Sequence, residues 1–146
     1  MNEQDPYDLQ RFLAAQAEVY ECALGELRRG RKESHWIWYI FPQVAGLGPS
    51  SMAQRYAIQS RDEAIDYLNH PVLGRRLREC CKALLTHAGK RAEDIMGNLD
   101  DLKLRSSMTL FAAVSDSDSI FNRVLDAFYA GQMDERTITF LSAETD

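Results

Sequence analysis

The chain has 146 residues, of which 45% are apolar and 27% are charged, values typical of one soluble globular domain with its own hydrophobic core. Its formal net charge of −5 argues against nucleic acid as a partner. No apolar run approaches the roughly eighteen residues that a membrane span needs, so the composition also excludes an integral membrane protein.

A long amphipathic helix is predicted near the N-terminus. Asp5 can cap it, with Pro6 at the first helical position and Asp8 near the positive end of the helix dipole. Apolar residues then recur at three- and four-residue steps as far as Leu27. Gly30 supplies the expected stop.

The next apolar segment is ambiguous. Trp36–Phe41 shows no alternation, so its periodicity does not distinguish a short strand from a buried helical turn. Pro42 ends it in either case, because the residue before a proline avoids the helical region. The glycine-rich stretch 46–49 then predicts a loop, and Ser50 or Ser51 can cap a short helix after it.

Helical patterns fill the rest of the chain. Ser60–Glu63 has the form of a capping box, in which each of the two side chains accepts the other residue's backbone N–H. Apolar periodicity predicts further helical segments over 64–68, 72–85, 92–96, 102–112, 120–130 and 137–141. No segment combines period-two alternation with the turn pairs of a hairpin.

These patterns predict an all-α fold. We expect a compact single domain of seven or eight helices of mixed length, with no substantial sheet. The domain is predicted to span residues 1–146, with flexible termini at 1–4 and 142–146.

Metal ligands are not arranged in any recognisable spacing. Cys80 and Cys81 are neighbours, so on a helix they point about 100° apart and do not form a zinc clamp. His35, His70 and His87 are isolated from one another. We therefore expect no metal and no cofactor. Three scattered cysteines and a polar, acidic N-terminus predict a cytoplasmic protein, with a buried, unreactive thiol at the apolar position of Cys80.

The loop and short helix over 46–55 are the first candidate for a binding site. The two glycines let the backbone approach a ligand closely, and the helix N-terminus after them offers free N–H groups and a positive dipole. A phosphate or another anion fits such a site. The alternative is a capped turn that only connects two helices. The candidate ligand-binding residues here are Gly46, Gly48, Ser50, Ser51, Gln54 and Arg55.

A second candidate segment, Asp100–Met108, repeats the Ser-Ser-Met triplet of 50–52. On a helix Asp100, Lys103 and Ser107 share one face, and Asp101 is placed to pair with Arg105. A salt-bridged surface helix explains the charges, whereas adjacent serines inside a helix indicate either close packing or a polar lining. The segment contributes Lys103, Arg105, Ser106 and Ser107 as ligand-binding candidates, and Asp100 and Asp101 as catalytic candidates.

The aromatic residues allow two interpretations. Trp36, Tyr39 and Ile40 fall at helical spacing and are explained by core packing. If Trp36 or Trp38 instead faces the glycine loop, it supplies a stacking surface for a planar ligand. Gln43, just past the proline, would then be placed to contact the edge of that ligand.

Several motif blocks resemble a bacterial domain-of-unknown-function family, the one numbered 1810 and sometimes labelled "calpastatin". The resemblance runs from about Leu9 to Leu141 and implies a compact all-α cytoplasmic domain, with no established activity, cofactor or catalytic residue. The label does not imply protease inhibition, because this composition is not that of a disordered inhibitor. The blocks are Trp38–Gln43, Gly46–Gly48, Ser50–Ala57, His70–Gly74 and Asp100–Phe111.

Two functional hypotheses follow. The first is a pocket that binds an anionic or nucleotide-like small molecule. In the enzymatic form of this hypothesis, the protein hydrolyses an N-glycoside or a phosphoester. A general similarity in type to NADAR domains, which are associated with ADP-ribose chemistry, is consistent with it. The second is a non-catalytic module that binds a protein through its aromatic patch or its basic clusters at 28–32 and 75–78. The pocket hypothesis requires Arg55, Lys103 and Ser107 to converge, and neither hypothesis determines the oligomeric state.

Overall fold

The computed structural model describes residues 4–145, and within them every regular element is a helix. Val44 and Ile58 form an isolated parallel bridge between loops. The helices are Gln10–Arg29 (α1), Ile37–Ile40 (α2), Ser51–Arg55 (α3), Arg61–Asn69 (α4), Leu73–Leu85 (α5), Ala92–Met96 (α6), Asp100–Ala113 (α7), Ile120–Tyr129 (α8) and Glu135–Thr145 (α9).

The predicted all-α class is confirmed, but the predicted number of helices was wrong. The described residues contain nine helices rather than seven or eight. The ambiguous segment Trp36–Phe41 is helical: its central residues form the single turn α2. Three of the helices, α2, α3 and α6, have only four or five residues. α3 and α6 were predicted as helical, so the additional helix is α2, whose four residues carry too little periodicity to separate a helical turn from a strand.

The first helix starts later than predicted. Pro6 is not its first residue, because the Asp5 carboxylate accepts the backbone N–H groups of Leu9 (2.7 Å) and Gln10 (3.0 Å) and so caps a helix that begins at Gln10. Asp5 therefore accepts N–H groups at the helix start, as expected, but it lies four residues before the N-cap residue Leu9 and is not itself the N-cap. Gly30 ends the helix in the left-handed conformation, as predicted.

Only one of the two hydrogen bonds predicted for the Ser60–Glu63 capping box forms. The Ser60 hydroxyl accepts the Glu63 N–H at 3.1 Å. The Glu63 carboxylate accepts the N–H of Gln59 at 2.9 Å instead of that of Ser60, and its other oxygen lies 2.7 Å from the Arg11 guanidinium. This ion pair is nearly buried and ties the start of α4 to α1.

The core lies around α5, α7 and α8. α7 packs against α8, α4, α6, α9 and α2, and α5 packs against α1, α4 and α8. A series of aromatic rings crosses it, with centroids 5.1 Å apart for Phe12 and Tyr67, 5.4 Å for Tyr67 and Phe111, and 5.7 Å for Phe111 and Phe121. This packing joins the N-terminal helix to the C-terminal half of the chain in one hydrophobic cluster.

Of the two terminal segments predicted to be flexible, only the C-terminal one contains residues of a described helix. The predicted flexible segments 1–4 and 142–146 include residues 1–3 and 146, which lie outside the described part of the chain. Residues 142–145 continue α9, which is longer than the predicted turn at 137–141. Between residues 4 and 145, no helix combines the length and hydropathy needed to cross a bilayer.

We expect one of the three thiols to react quickly in the native protein. Cys22 is exposed, whereas burial raises the pKa of Cys80 to about 12 and that of Cys81 well above its ordinary value. Because the thiolate is the reactive form, Ellman's reagent at about pH 8 should titrate one thiol at once and the other two only in denaturant. Cys22→Ser is the control and should remove the fast phase. A second fast thiol in native protein would contradict the buried placement of α5.

Candidate functional site

A buried glutamate organises the segment that connects α1 to α2. Glu26 is 2% exposed and lies in the last turns of α1. Its carboxylate accepts the backbone N–H groups of Glu33 (2.8 Å) and Ser34 (3.0 Å), the Ser34 hydroxyl (2.6 Å) and the Trp36 indole N–H (2.9 Å). The segment therefore folds back onto the end of α1, and its position determines where α2 begins.

These hydrogen bonds keep Glu26 ionised. Burial by itself raises the pKa of this carboxyl, but the hydrogen bonds from Ser34, Glu33 and Trp36 outweigh it and lower the pKa to about 2. Charge-assisted hydrogen bonds are stronger than neutral ones, so one carboxylate can hold the whole turn. We call Glu26 and its donors Glu33, Ser34 and Trp36 the Glu26 network.

Lys32 connects the same segment to α7. Its ammonium group is nearly buried and lies 2.8 Å from the Asp100 carboxylate, while its backbone N–H donates to the Ile95 carbonyl at 2.7 Å. Asp100 also pairs with Lys103 at 3.2 Å. The basic cluster at 28–32 is thus not wholly a solvated surface, because one of its members is buried in an ion pair at the start of α7.

An open cleft of about 620 Å³ lies between α2, the loop before α3, the start of α7 and the start of α9. Seven predicted residues line it: Trp38, Gln43, Gly48, Ser50, Lys103, Arg105 and Ser106. The remaining lining residues were not predicted and are Leu47, Pro49, Ala53, Leu99, Leu102, Asp134 and Arg136. The two candidate segments therefore contribute to one concave surface.

The loop wall of the cleft is held by backbone contacts. The N–H of Ile58 donates to the Gln43 carbonyl at 2.8 Å, which closes the loop around α3. The Ser50 hydroxyl accepts the Ala53 N–H at 3.1 Å and caps α3, as predicted. A Cβ atom at Gly48 would lie 2.7 Å from Ala53 Cβ, so only glycine fits this approach.

The opposite wall carries the charged groups. The Lys103 ammonium lies 5.6 Å from the centroid of the Trp38 ring, and its side chain is one-third exposed. Arg105 donates to the carbonyls of Gln132 (3.1 Å) and Met133 (2.7 Å). Arg105 therefore fixes the turn before α9, which brings Arg136 to the cleft.

Several predicted residues do not line the cleft. Trp36 is fully buried within the Glu26 network, so the core interpretation holds for it and the stacking interpretation does not. On α3, the Gln54 amide donates to the Pro49 carbonyl at 3.1 Å, and the Arg55 guanidinium lies 5.6 Å from the Tyr56 ring centroid. Gly46 and Ser51 are also outside the lining.

The predicted ion pair between Asp101 and Arg105 on α7 is not found, and the three residues that the pocket hypothesis required to converge do not do so. Asp101 accepts the Leu102 N–H at 2.9 Å, and Arg105 is engaged with the turn before α9, so these two do not form the expected i,i+4 pair. Neither Asp100 nor Asp101 lines the cleft. Ser107 is fully buried, and its hydroxyl has no hydrogen-bond partner among the described residues. Of Arg55, Lys103 and Ser107, only Lys103 reaches the cleft, so the pocket hypothesis was wrong in the form that required these three residues to converge, and a binding site here rests on a different set of residues.

The comparisons with known proteins agree with the fold. A family model described as "Protein of unknown function (DUF1810)" matches residues 6–141. The chain belongs to this family. This DUF1810 chain is similar to the conserved hypothetical protein Rv1873 from Mycobacterium tuberculosis, whose crystal structure is known. The two sequences are 49% identical, and the two structures superpose with a TM-score of 0.92. That match covers 94% of the present chain and 99% of the other. No curated protein matches significantly.

The family assignment confirms the resemblance drawn from the motif blocks, and the description that it carries is one of unknown function. Among the described residues, no cluster of three or more His, Cys, Asp or Glu side chains could hold a metal ion. The chemistry of this DUF1810 member must therefore be argued from the cleft itself.

Glu26→Gln should destabilise the protein by about 2–4 kcal/mol. The glutamine amide keeps the shape, but it removes the charge and places a donor N–H₂ among groups that are themselves donors. Chemical denaturation at neutral pH measures the loss. Glu21→Gln, at an exposed position on α1, is the matched control and should change stability little. Equal effects of the two variants would refute the role of the Glu26 network.

Glu26 should also contribute to acid sensitivity. Its folded-state pKa is about 2, below the ordinary value of 4.5, so its contribution to stability is complete above pH 4.5 and is lost as the pH falls toward 2. That contribution amounts to about 3 kcal/mol. We expect the stability difference between wild type and Glu26→Gln to shrink by this amount between neutral pH and about pH 2, measured by denaturant unfolding. A difference that does not vary with pH would contradict the lowered pKa.

Proposed function

We propose that the cleft binds an anionic, nucleotide-like small molecule. The observation that carries this proposal is the pairing of Lys103 with Trp38, which puts an ammonium group 5.6 Å from the centre of an indole ring in the cleft. A cation beside an aromatic surface suits a ligand that has both a negative group and a flat apolar part.

The charges around Lys103 favour an anion. Lys103 pairs with Asp100, but Asp100 is also paired with the nearly buried Lys32. When a ligand anion takes Lys103, Asp100 keeps Lys32 as its partner, so this partly buried carboxylate is not left unpaired. Arg136 adds another positive charge to the lining, against one carboxylate from Asp134.

The size and lining of the cleft are consistent with a small ligand. Its volume of about 620 Å³ falls within the usual 300–1,000 Å³ of ligand pockets. Its walls are largely apolar, with a few polar groups at Gln43, Ser50 and Ser106. Pockets with this composition bind by burying an apolar body and orient it through a small number of polar contacts.

A hydrolytic version, cleaving an N-glycosidic or phosphoester bond, needs a carboxylate within reach of the ligand. Asp100 and Asp101 are outside the lining, which weakens their candidacy as the general acid or base. Asp134 does line the cleft, but one of its oxygens accepts both the backbone N–H (3.0 Å) and the hydroxyl (2.6 Å) of Thr137. We therefore propose binding as the primary function.

The second candidate is a protein-interaction module. It is favoured by the exposure of Leu99 and Leu102 on the cleft, because exposed large apolar side chains mark interaction sites. Lys103 is the residue that distinguishes the two candidates, because an anionic ligand depends on it and a protein partner held by these leucines does not.

Lys103→Ala should abolish ligand stabilisation. In a thermal-shift screen with nucleotides, ADP-ribose and sugar phosphates, a ligand at a hundred times its Kd should stabilise the wild type by about 2.7 kcal/mol, or roughly 5–10 °C in Tm. Arg55→Ala is the control: it removes a positive charge outside the cleft and should retain the shift.

Two results would overturn the proposal. One is the absence of a shift with every compound in the screen, which would favour the interaction module. The other is an equal loss of the shift in Lys103→Ala and Arg55→Ala, which would mean that the ligands respond to overall charge and not to the cleft.

A further inference from the structure

Leu99, immediately before α7, has a backbone conformation that is costly for leucine. Its φ is +78° and its ψ is −46°, a combination outside the regions that branched or bulky L-residues normally adopt. Among the described residues, only Asp8 and Ala130 share a positive φ without being glycine. Such strain persists only where the surrounding structure enforces it, and it is concentrated at functional sites.

Folding does not explain why leucine occupies this position. The residue is 61% exposed, so its side chain gains little from burial in the core. A glycine would adopt the same φ without a steric penalty, as Gly97 does two residues earlier with a φ of +89°. For stability alone, leucine is therefore a poor choice at position 99.

The location of Leu99 supplies a reason. It lines the cleft, and so does Leu102, which is 54% exposed. Together they bring two uncovered apolar side chains to a cavity that also contains Trp38. An apolar ligand surface would cover all three side chains and remove them from water.

We propose that Leu99 is a specificity-determining residue, held in its strained conformation so that it closes over the flat apolar part of the ligand. This inference rests on the proposed function and narrows it. The ligand class is an aromatic or heteroaromatic ring system that carries an anionic group. The ring packs between Trp38 and the leucines, and the anion is taken by Lys103.

The experiment compares binding and stability in the same variants, with 8-anilinonaphthalene-1-sulfonate as the probe because it is an aromatic anion of this class. Leu99→Gly should lower its affinity about tenfold, measured by fluorescence titration, while raising Tm by about 3 °C. Leu99→Ala should lower the affinity similarly without the gain in Tm, because alanine keeps the steric penalty at positive φ.

Ala130→Gly is the matched control. Ala130 has a φ of +54° at the end of α8 and does not line the cleft, so glycine there should raise Tm and leave probe binding unchanged. Ile65→Ala, at an exposed apolar side chain on α4, tests whether the probe responds to exposed apolar residues in general and should have no effect.

The outcomes separate this inference from the proposed function. A loss of probe binding in Lys103→Ala with unchanged binding in both Leu99 variants would overturn the role of Leu99 and leave the anion site standing. Probe binding unaffected by Lys103→Ala would overturn the anion site. A lower Tm in Leu99→Gly would show that leucine is there for stability, which also overturns the inference.

Discussion

The structure depends on one buried carboxylate. Glu26 stays charged at the end of α1 because four donors from the next ten residues of the chain, together with the Cys22 thiol one turn earlier, surround its carboxylate. These contacts replace the water that a charged group loses on burial, and they fold the segment back so that Trp36 enters the core. Because Trp36 directly precedes α2, fixing it also fixes the position of α2. Trp38, on α2, therefore lies in the wall of the cleft.

A second set of charges extends this arrangement to α7. Lys32 lies in the segment that Glu26 binds, and its side chain pairs with Asp100, the first residue of α7. Asp100 also contacts Lys103. The position of the cleft lysine is thereby linked to the end of α1, about seventy residues earlier in sequence. Sharing one carboxylate between two lysines leaves net positive charge at this point, which is the electrostatic basis for expecting an anion in the cleft.

The cleft combines features that reduce stability. Leucine at a positive φ and two exposed leucine side chains each carry a free-energy cost. Positive φ values also occur at Asp8 and Ala130, and large apolar side chains are also exposed at Ile65, Met133 and Ile138, but at Leu99 the two features coincide in one residue. Costs concentrated at one surface are expected where binding, and not folding, has determined the residues.

Local patterns in the sequence determined the helical class, the caps at Ser50 and Ser60 and the stop at Gly30, and they proposed thirteen ligand-binding residues, of which seven line the cleft. These features depend on neighbouring residues or on helical periodicity, which sequence records directly. The tertiary structure alone decided that Glu26 and Lys32 are buried, that Arg55 and Ser107 miss the cleft, and that Arg136 and Leu99 belong to it. Each of these depends on contacts between distant segments or on a backbone angle set by packing. Charged residues such as Glu26 are therefore indistinguishable in sequence from solvated ones until their partners are brought together.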